Sequence, residues 1–324
     1  MDEEIKLDLK DRKLLYELDT NSRQSSHKLA KKIGISKDSI IYRIKRLQKI
    51  GIIKNFHTVI DTGKLGLIPF RLYIKLQNTT PEIEKQIIDF LIKQKQISWV
   101  VSIDGEYNIG SWILTETIKE MNILWKTLNQ RFTNFIEKKQ LTIFTKIYYY
   151  SRKYLLENAK DIKEYNFITE SEKIKTDEKD KQILKLLSDN SRISILEISE
   201  KTKLTPKTVS QRIKDLEKKE VIIGYRTMFD IEKLGYQYFK LNFNLQNTNK
   251  EKLKKLNEFF KSHPNIIYIN EVLGGDDIEL DVQVKSLNKL REVINQIKNQ
   301  FSAIIRDYKY MHFYKEHKYI FMVE

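Results

Sequence analysis

With 324 residues, a net charge of +15 and no cysteine, the chain is too long for one ordinary domain, cannot use disulfides, thiolate nucleophiles or cysteine-ligated metals, and calls for a polyanionic partner, either nucleic acid or an anionic membrane surface. Forty per cent hydrophobic residues supply packed cores, and only 10 Gly and 4 Pro mean long elements and short loops. No apolar run reaches the ~18–20 residues of a membrane span, and Met1-Asp2-Glu3-Glu4 lacks the basic and apolar regions of a signal peptide, so a cytoplasmic protein without membrane partner is expected.

Leu14, Leu15 and Leu18 fall at helical spacing behind Asp11, which is placed to cap that helix or favour its N-terminal dipole. A polar break follows at Asn21-Ser22-Arg23. Ser25 is the N-cap expected for a second helix with Leu29, Ala30 and Ile33 inward, and Gly34 ends it with positive φ. Ser36 caps a third helix striped by Ile40, Ile44 and Leu47; Gly51 ends it and Ile52-Ile53 begins an extended segment. Three short helices with a tight turn before the third are a helix-turn-helix, whose third helix enters the DNA major groove with its N-terminal residues at the base edges. Its outward positions, Ser36, Lys37, Asp38, Ser39, Tyr42, Arg43 and Arg46, suit phosphate and base contacts, and read as a solvated helix face under the plainer alternative.

Phe70, Leu72, Ile74 and Leu76 then alternate with Arg71, Tyr73 and Lys75, the pattern of a half-buried strand. A helix with Ile83, Ile87, Phe90 and Leu91 inward follows, then strands at 97–103 and 109–114 around a turn at Gly105, a helix at 119–132 and a strand at 141–150. The order βαββαβ is a ferredoxin-like sandwich, with one sheet face under two helices and the other open to a second sheet.

The whole unit then recurs at a constant offset of 169 residues without a gap. Asp11-Arg-Lys-Leu-Leu15 matches Asp180-Lys-Gln-Ile-Leu184, Asn21-Ser-Arg23 matches Asn190-Ser-Arg192, Leu76-Gln-Asn-Thr79 matches Leu245-Gln-Asn-Thr248, and Phe144 matches Phe313. The chain is therefore α+β, with a winged helix-turn-helix at 1–60, a ferredoxin-like effector or dimerisation domain at 61–155, a charged connector at 156–175 with room for one short helix, a second winged helix-turn-helix at 176–229 and a second sandwich at 230–324. In the second copy Ser194 and Glu197 have capping-box spacing, Thr205-Pro206 is a cap and first-turn pair, and Thr205, Lys207, Thr208, Ser210, Gln211, Arg212 and Lys214 are the DNA-facing set. Lys203 and Glu220 stand where the first copy has Gly34 and Gly51. Residues 7–55 hold 13 Lys and Arg against 5 Asp and Glu, a balance of +8, whereas residues 176–224 hold 11 against 9, a balance of +2, so the first copy is expected to bind DNA more strongly.

On the Asp11-Arg-Lys opening, Asn21-Ser-Arg23, Leu29-Ala30, Gly34-Ile-Ser36, Arg43-Ile44, Leu47, Gly51-Ile-Ile53, Asp61 and Lys64-Leu-Gly66, the sequence resembles the leucine-responsive (Lrp/AsnC) family of transcription regulators over nearly its whole length. The resemblance implies a sequence-specific regulator of double-stranded DNA that self-associates through its sandwiches and responds to a small effector such as an amino acid, with no cofactor, metal or enzymatic activity. It places the effector at the loop between the second and third strands of each sandwich: Gly105, Glu106, Tyr107 and Asn108, then Gly274, Gly275, Asp276 and Asp277. The family's loop resembles Gly-Asp-Tyr-Asp, from which the first copy departs at one acid and the second at the aromatic; a plain tight turn is the alternative. One chain is expected to replace a homodimer and read two unlike half-sites. An architectural DNA-compacting protein is the rival reading. Relatives on this scaffold that act on haem precursors supply another, but His27, His57, His263, His312 and His317 form no metal-like helical pair, and each suits a surface or core role.

Overall fold

The computed structural model describes residues 6–156, 164–169, 171–320 and 322. The first half runs α1 (Leu9–Thr20), α2 (Ser26–Ile33), α3 (Lys37–Lys49), β1 (Ile53–Ile60), β2 (Ile68–Leu76), α4 (Pro81–Lys93), β3 (Ile97–Asp104), β4 (Ile109–Thr115), α5 (Ile118–Phe132), β5 (Ile136–Tyr150) and β6 (Glu164–Ile168). The second runs α6 (Glu178–Asp189), α7 (Ile195–Thr202), α8 (Pro206–Lys218), β7 (Ile222–Phe229), β8 (Gln237–Leu245), α9 (Lys250–Ser262), β9 (Ile266–Leu273), β10 (Ile278–Val284), α10 (Leu287–Phe301) and β11 (Ile305–Tyr319). Apart from β6 and two short 3-10 turns, at Thr133–Phe135 and Lys153–Leu155, the described elements of the two halves repeat one another in order, as the offset requires.

The helix ends follow the local chemistry closely. Ser25, Ser36 and Thr205 each accept a hydrogen bond from the backbone N–H three residues on, which satisfies a donor left over in the first turn. At α1 the cap is Asp8, not Asp11; Asp11 sits three residues in and reaches back to the Asp8 backbone N–H, a reciprocal capping box that Asp177 and Asp180 repeat at α6. Ser194 caps α7, while the Glu197 side chain bonds Lys201 at 2.8 Å. The left-handed backbone at Gly34 (φ 74°) and Gly51 (φ 77°) persists at Lys203 (φ 56°) and Glu220 (φ 55°), where side chains incur roughly 1–2 kcal/mol each.

The sandwiches share one sheet. The first half contributes the order β5–β2–β4–β3 and the second β11–β8–β10–β9; β3 then pairs with β11 and β9 with β5, all antiparallel, so eight strands close into a barrel. Helices α4 and α5 cover the first half from outside, burying Ile87, Leu91, Leu124 and Leu128 against Leu72, Ile74 and Ile113, and α9 and α10 do the same for the second. Closure corrects the expectation of a half-buried β2: Arg71 and Tyr73 are 5% and 1% exposed, because the polar face of the alternation lines the barrel interior. In the described part of the connector β6 pairs with β5, after a 3-10 turn at Lys153–Leu155; residues 157–163 and 170, where the expected short helix would also have room, lie outside the described residues.

The strands after the third helices also join the two halves. β1 pairs antiparallel with β7 in a separate two-stranded ribbon, with His57 opposite Arg226. Thr58 Oγ1 donates to the Leu187 carbonyl of α6 at 2.8 Å, and Thr227 Oγ1 donates to the Leu18 carbonyl of α1 at 2.9 Å. Each helix-turn-helix therefore packs on strands of both copies.

Candidate functional site

On α3, Lys37, Asp38, Lys45 and Lys49 are exposed and Tyr42 is 67% exposed, a polar and aromatic ridge. The Ser36 and Ser39 hydroxyls lie 2.8 Å apart at its N-terminus, and Thr205 and Thr208 reproduce that pair on α8. There Lys207, Gln211 and Lys214 are exposed and Ser210 is half-buried, with Gln211 donating to Asp215 at 2.9 Å. Lys45 and Lys49 extend the first surface; their exposed helical positions were the signal for them.

The arginines of this set are half-buried and engaged within their own helix-turn-helix units. Arg43 Nη1 lies 2.8 Å from Asp8 and 2.6 Å from Asp11, and Arg46 Nη2 lies 2.5 Å from Asp11. Arg212 makes the same bonds to Asp177 (2.9 Å) and Asp180 (2.7 Å). These side chains tie the third helix to the capping box of the first. Desolvation raises the Asp8 carboxyl, but the Asp11 N–H and the Arg43 guanidinium outweigh it and hold the pKa below its ordinary value. For Asp177 the Asp180 N–H leads, and Arg212 adds to it against weaker desolvation.

The two helix-turn-helix units are locked across a pseudo-twofold. The Ser22 and Ser191 hydroxyls, 169 residues apart, share a 2.7 Å hydrogen bond. Arg23 donates to the carbonyls of Ser191 and Ile193 (3.1 Å to the latter), and Arg192 donates to those of Ser22 (2.5 Å) and Gln24 (2.9 Å). The Asn-Ser-Arg break in each copy is the interface between copies.

The inter-strand loops are filled by their own side chains. Tyr107 is buried, stacks on Tyr73 at 5.2 Å and donates to Gln140 at 2.6 Å. Asn108 accepts from the Leu76 N–H and Asp277 from the Leu245 N–H, equivalent bonds in the two copies. Asp276 accepts from Asn242 (3.0 Å) and Asn244 (2.8 Å), and Glu106 pairs with Lys138 at 2.8 Å. Gly105 and Gly274 make the turns at positive φ, and Gly275 is exposed beside Thr142.

A cavity of about 580 Å³ lies between the barrel interior and the β1–β7 ribbon, walled by Trp99, Trp112, Tyr149, Tyr238, Tyr268 and Tyr319. Nothing in the sequence pattern alone announced it, since it forms only when two polar sheet faces close on each other. His57 and His312 also line it, while His317 bonds Ser102 (2.8 Å), His263 bonds Gln296 (3.1 Å) and His27 is exposed. Among the described residues no cluster of His, Asp or Glu suits a metal ion, and no helix is long and apolar enough to cross a membrane.

A winged helix-turn-helix DNA-binding family model matches residues 7–54 and 176–223. An uncharacterized HTH-type transcriptional regulator of Pyrococcus horikoshii, PH0140, is 31% identical over 127 residues, 39% of this chain and 79% of the relative. The Bacillus subtilis HTH-type transcriptional regulator LrpC is 28% identical over 124 residues, 38% of this chain and 84% of the relative. Both matches are shorter than one 169-residue period, so one copy of the repeat accounts for each relative. Over the whole chain the architecture is similar to the crystal structure of the siroheme decarboxylase NirDL, with a TM-score of 0.63 at 11% identity over 96% of this chain and 93% of that one, a likeness of fold.

Proposed function

Since the chain belongs to the Lrp/AsnC family of DNA-binding transcription regulators, we propose that it acts as a built-in dimer, one polypeptide whose two unlike recognition helices read two unlike half-sites on double-stranded DNA. The observation that carries this reading is the ribbon of β1 and β7, which joins the two helix-turn-helix units across a pseudo-twofold with no second chain. Homodimeric readers meet palindromic operators because protein symmetry is mirrored in the DNA. Here the DNA-facing positions differ pair by pair: Lys37 against Pro206, Asp38 against Lys207, Tyr42 against Gln211. Self-association through the sandwiches is met inside the chain by barrel closure, which supports a single chain as the DNA-binding unit.

Selection from random duplexes tests this reading with Lys45→Ala and the equivalent Lys214→Ala. The expected motif has two different halves, and Lys45→Ala costs more affinity than Lys214→Ala because the first unit is the more cationic. Sequence-blind, salt-sensitive binding would favour the architectural alternative. An amino-acid effector at Gly105–Asn108 or Gly274–Asp277 would have to displace the bonds made by Tyr107, Asn108, Asp276 and Asp277, so we place effector control elsewhere.

One observation favours a second reading, an enzyme: the fold shared with the siroheme decarboxylase together with the aromatic-walled cavity. Titration with iron uroporphyrin III tests it; a shifted Soret band and loss of carbon dioxide would support catalysis, and an unchanged spectrum would leave the regulator alone.

A further inference from the structure

The duplication supplies an internal comparison inside the barrel. In the second half, Lys240 on β8, Asp281 on β10 and Tyr268 on β9 stand side by side in register with their side chains toward the interior. Lys240 is fully buried, 2.8 Å from the Asp281 carboxylate and 3.1 Å from Glu279. Tyr238 and Asn270 also donate to Asp281, at 2.8 and 2.7 Å. That cation has a built-in carboxylate.

The equivalent row in the first half is Arg71 on β2, Trp112 on β4 and Trp99 on β3, again in register. The cation is kept, but an indole stands where the second half has its carboxylate. Arg71 is 5% exposed and lines the cavity, and its Nε and Nη1 have no hydrogen-bond partner among the described residues. The Trp112 Nε1, opposite it on the neighbouring strand, is likewise buried without a partner. Burial works against the charge of Arg71, and Tyr73, Glu279 and Asp281 outweigh it from a distance. Aromatic faces hold the guanidinium in place, with the Trp99 ring centroid 4.7 Å away and that of Phe144 at 5.1 Å. Buried donors left unsatisfied cost about 1–3 kcal/mol each, more for a charged group. They therefore mark the position of a missing acceptor.

We propose that the cavity binds a flat aromatic monocarboxylate, its carboxylate bridging Arg71 and Trp112 where Asp281 serves Lys240 in the second half, and its ring stacked among Trp99, Tyr149 and Tyr268. A planar guanidinium and a carboxylate pair through parallel N–H···O bonds, and a cavity of this volume accepts a two-ring ligand. The preference for a single charge follows from the interior balance. Arg71 and Lys240 face Glu279 and Asp281, and elsewhere on the lining Lys54, Arg152, Lys285 and Lys315 stand with Asp230, Glu232 and Glu316, Arg152 being held by Asp19, so little positive charge remains for a second anionic group. The site lies away from both recognition helices and does not depend on how DNA is read.

The test is calorimetric titration of the full chain, without DNA, with benzoate, 2-naphthoate and indole-3-acetate, and with 2-naphthalenemethanol as the uncharged control. 2-Naphthoate is expected to bind with Kd of about 1 mM or tighter and at least roughly tenfold better than the alcohol, quenching emission from Trp99 and Trp112. Arg71→Gln should remove the preference for the acid over the alcohol. Trp112→Asp should abolish acid binding by giving Arg71 a permanent carboxylate, as Lys240 has, and does so without removing the buried cation; it therefore decides the matter if Arg71→Gln does not fold. Equal binding of acid and alcohol, no binding of any of the three acids, or undiminished acid binding by Trp112→Asp overturns the proposal. DNA binding that persists or fails alongside bears on the regulator reading alone.

Discussion

His57 on β1 stands directly opposite Arg226 on β7, and the two are the same position of the repeat, 169 residues apart. The pseudo-twofold passes between them. Two identical halves would put histidine against histidine or arginine against arginine there. The buried Asp19 resolves the asymmetry: it accepts from Arg226 at 2.9 and 3.0 Å and pairs with Arg152 at 2.5 Å, while its equivalent in the second half is Ser188. A pair of second halves would bury two facing arginines without Asp19, so the charges favour pairing of unlike halves.

Removing the anion of this cluster leaves two buried guanidinium groups uncompensated. Asp19→Asn is expected to destabilise the chain by about 3–5 kcal/mol, the usual result of breaking a buried ion pair on one side. Desolvation raises the Asp19 carboxyl, but Arg226 and Arg152 outweigh it and hold its pKa below 3.8 in the folded chain. Its contribution is thus present above the unfolded value and lost as pH falls through the folded one. Denaturant titrations below the ordinary aspartate range should show a shallower acid loss in Asp19→Asn than in the parent.

Two histidines give a second pH dependence. Burial, then Arg226 and Arg152, push His57 well below 6.5, and burial pushes His263 down to about 4. The unfolded chain binds these protons first, so stability is full above 6.5 and declines below it; for His263 the decline ends near pH 4. Each group contributes a slope of up to ~1.4 kcal/mol per pH unit. His263→Gln should flatten the decline between pH 6 and 4 in guanidinium titrations; an unchanged slope contradicts this assignment.

Lys203 occupies the left-handed cap of α7 at φ 56°, where the first copy has Gly34. Lys203→Gly is expected to raise stability by about 0.5–1 kcal/mol, because glycine relieves the strain although it loosens the unfolded chain. Thermal unfolding reads the difference. Glu220→Gly should gain less, since Glu220 also pairs with Lys64 at 2.9 Å.

The sequence carried the periodicities, caps and duplication, and with them each helix and most strands. It could not show what depends on the two halves meeting. Arg71 and Tyr73 alternate with Phe70 and Leu72 as a solvent-facing row would, and only barrel closure buries them. Ser22 and Arg23 resemble any polar turn until Ser191 and Arg192 are opposite. Arg43 sits on a helical position that faces outward by spacing alone, yet Asp8 and Asp11 of another helix capture it. At Tyr107 the inward stacking on Tyr73 was likewise not legible in the loop's sequence.

Because the chain has no cysteine, the most direct measurement is cleavage of DNA by an iron chelate attached to a single introduced thiol. Tyr42→Cys and Gln211→Cys occupy equivalent exposed positions of α3 and α8. On a selected duplex the built-in dimer predicts that Tyr42→Cys cuts one half-site and Gln211→Cys the other, in a fixed order. Cleavage of both half-sites by Tyr42→Cys would show two chains bound symmetrically through their first copies, and would contradict the account.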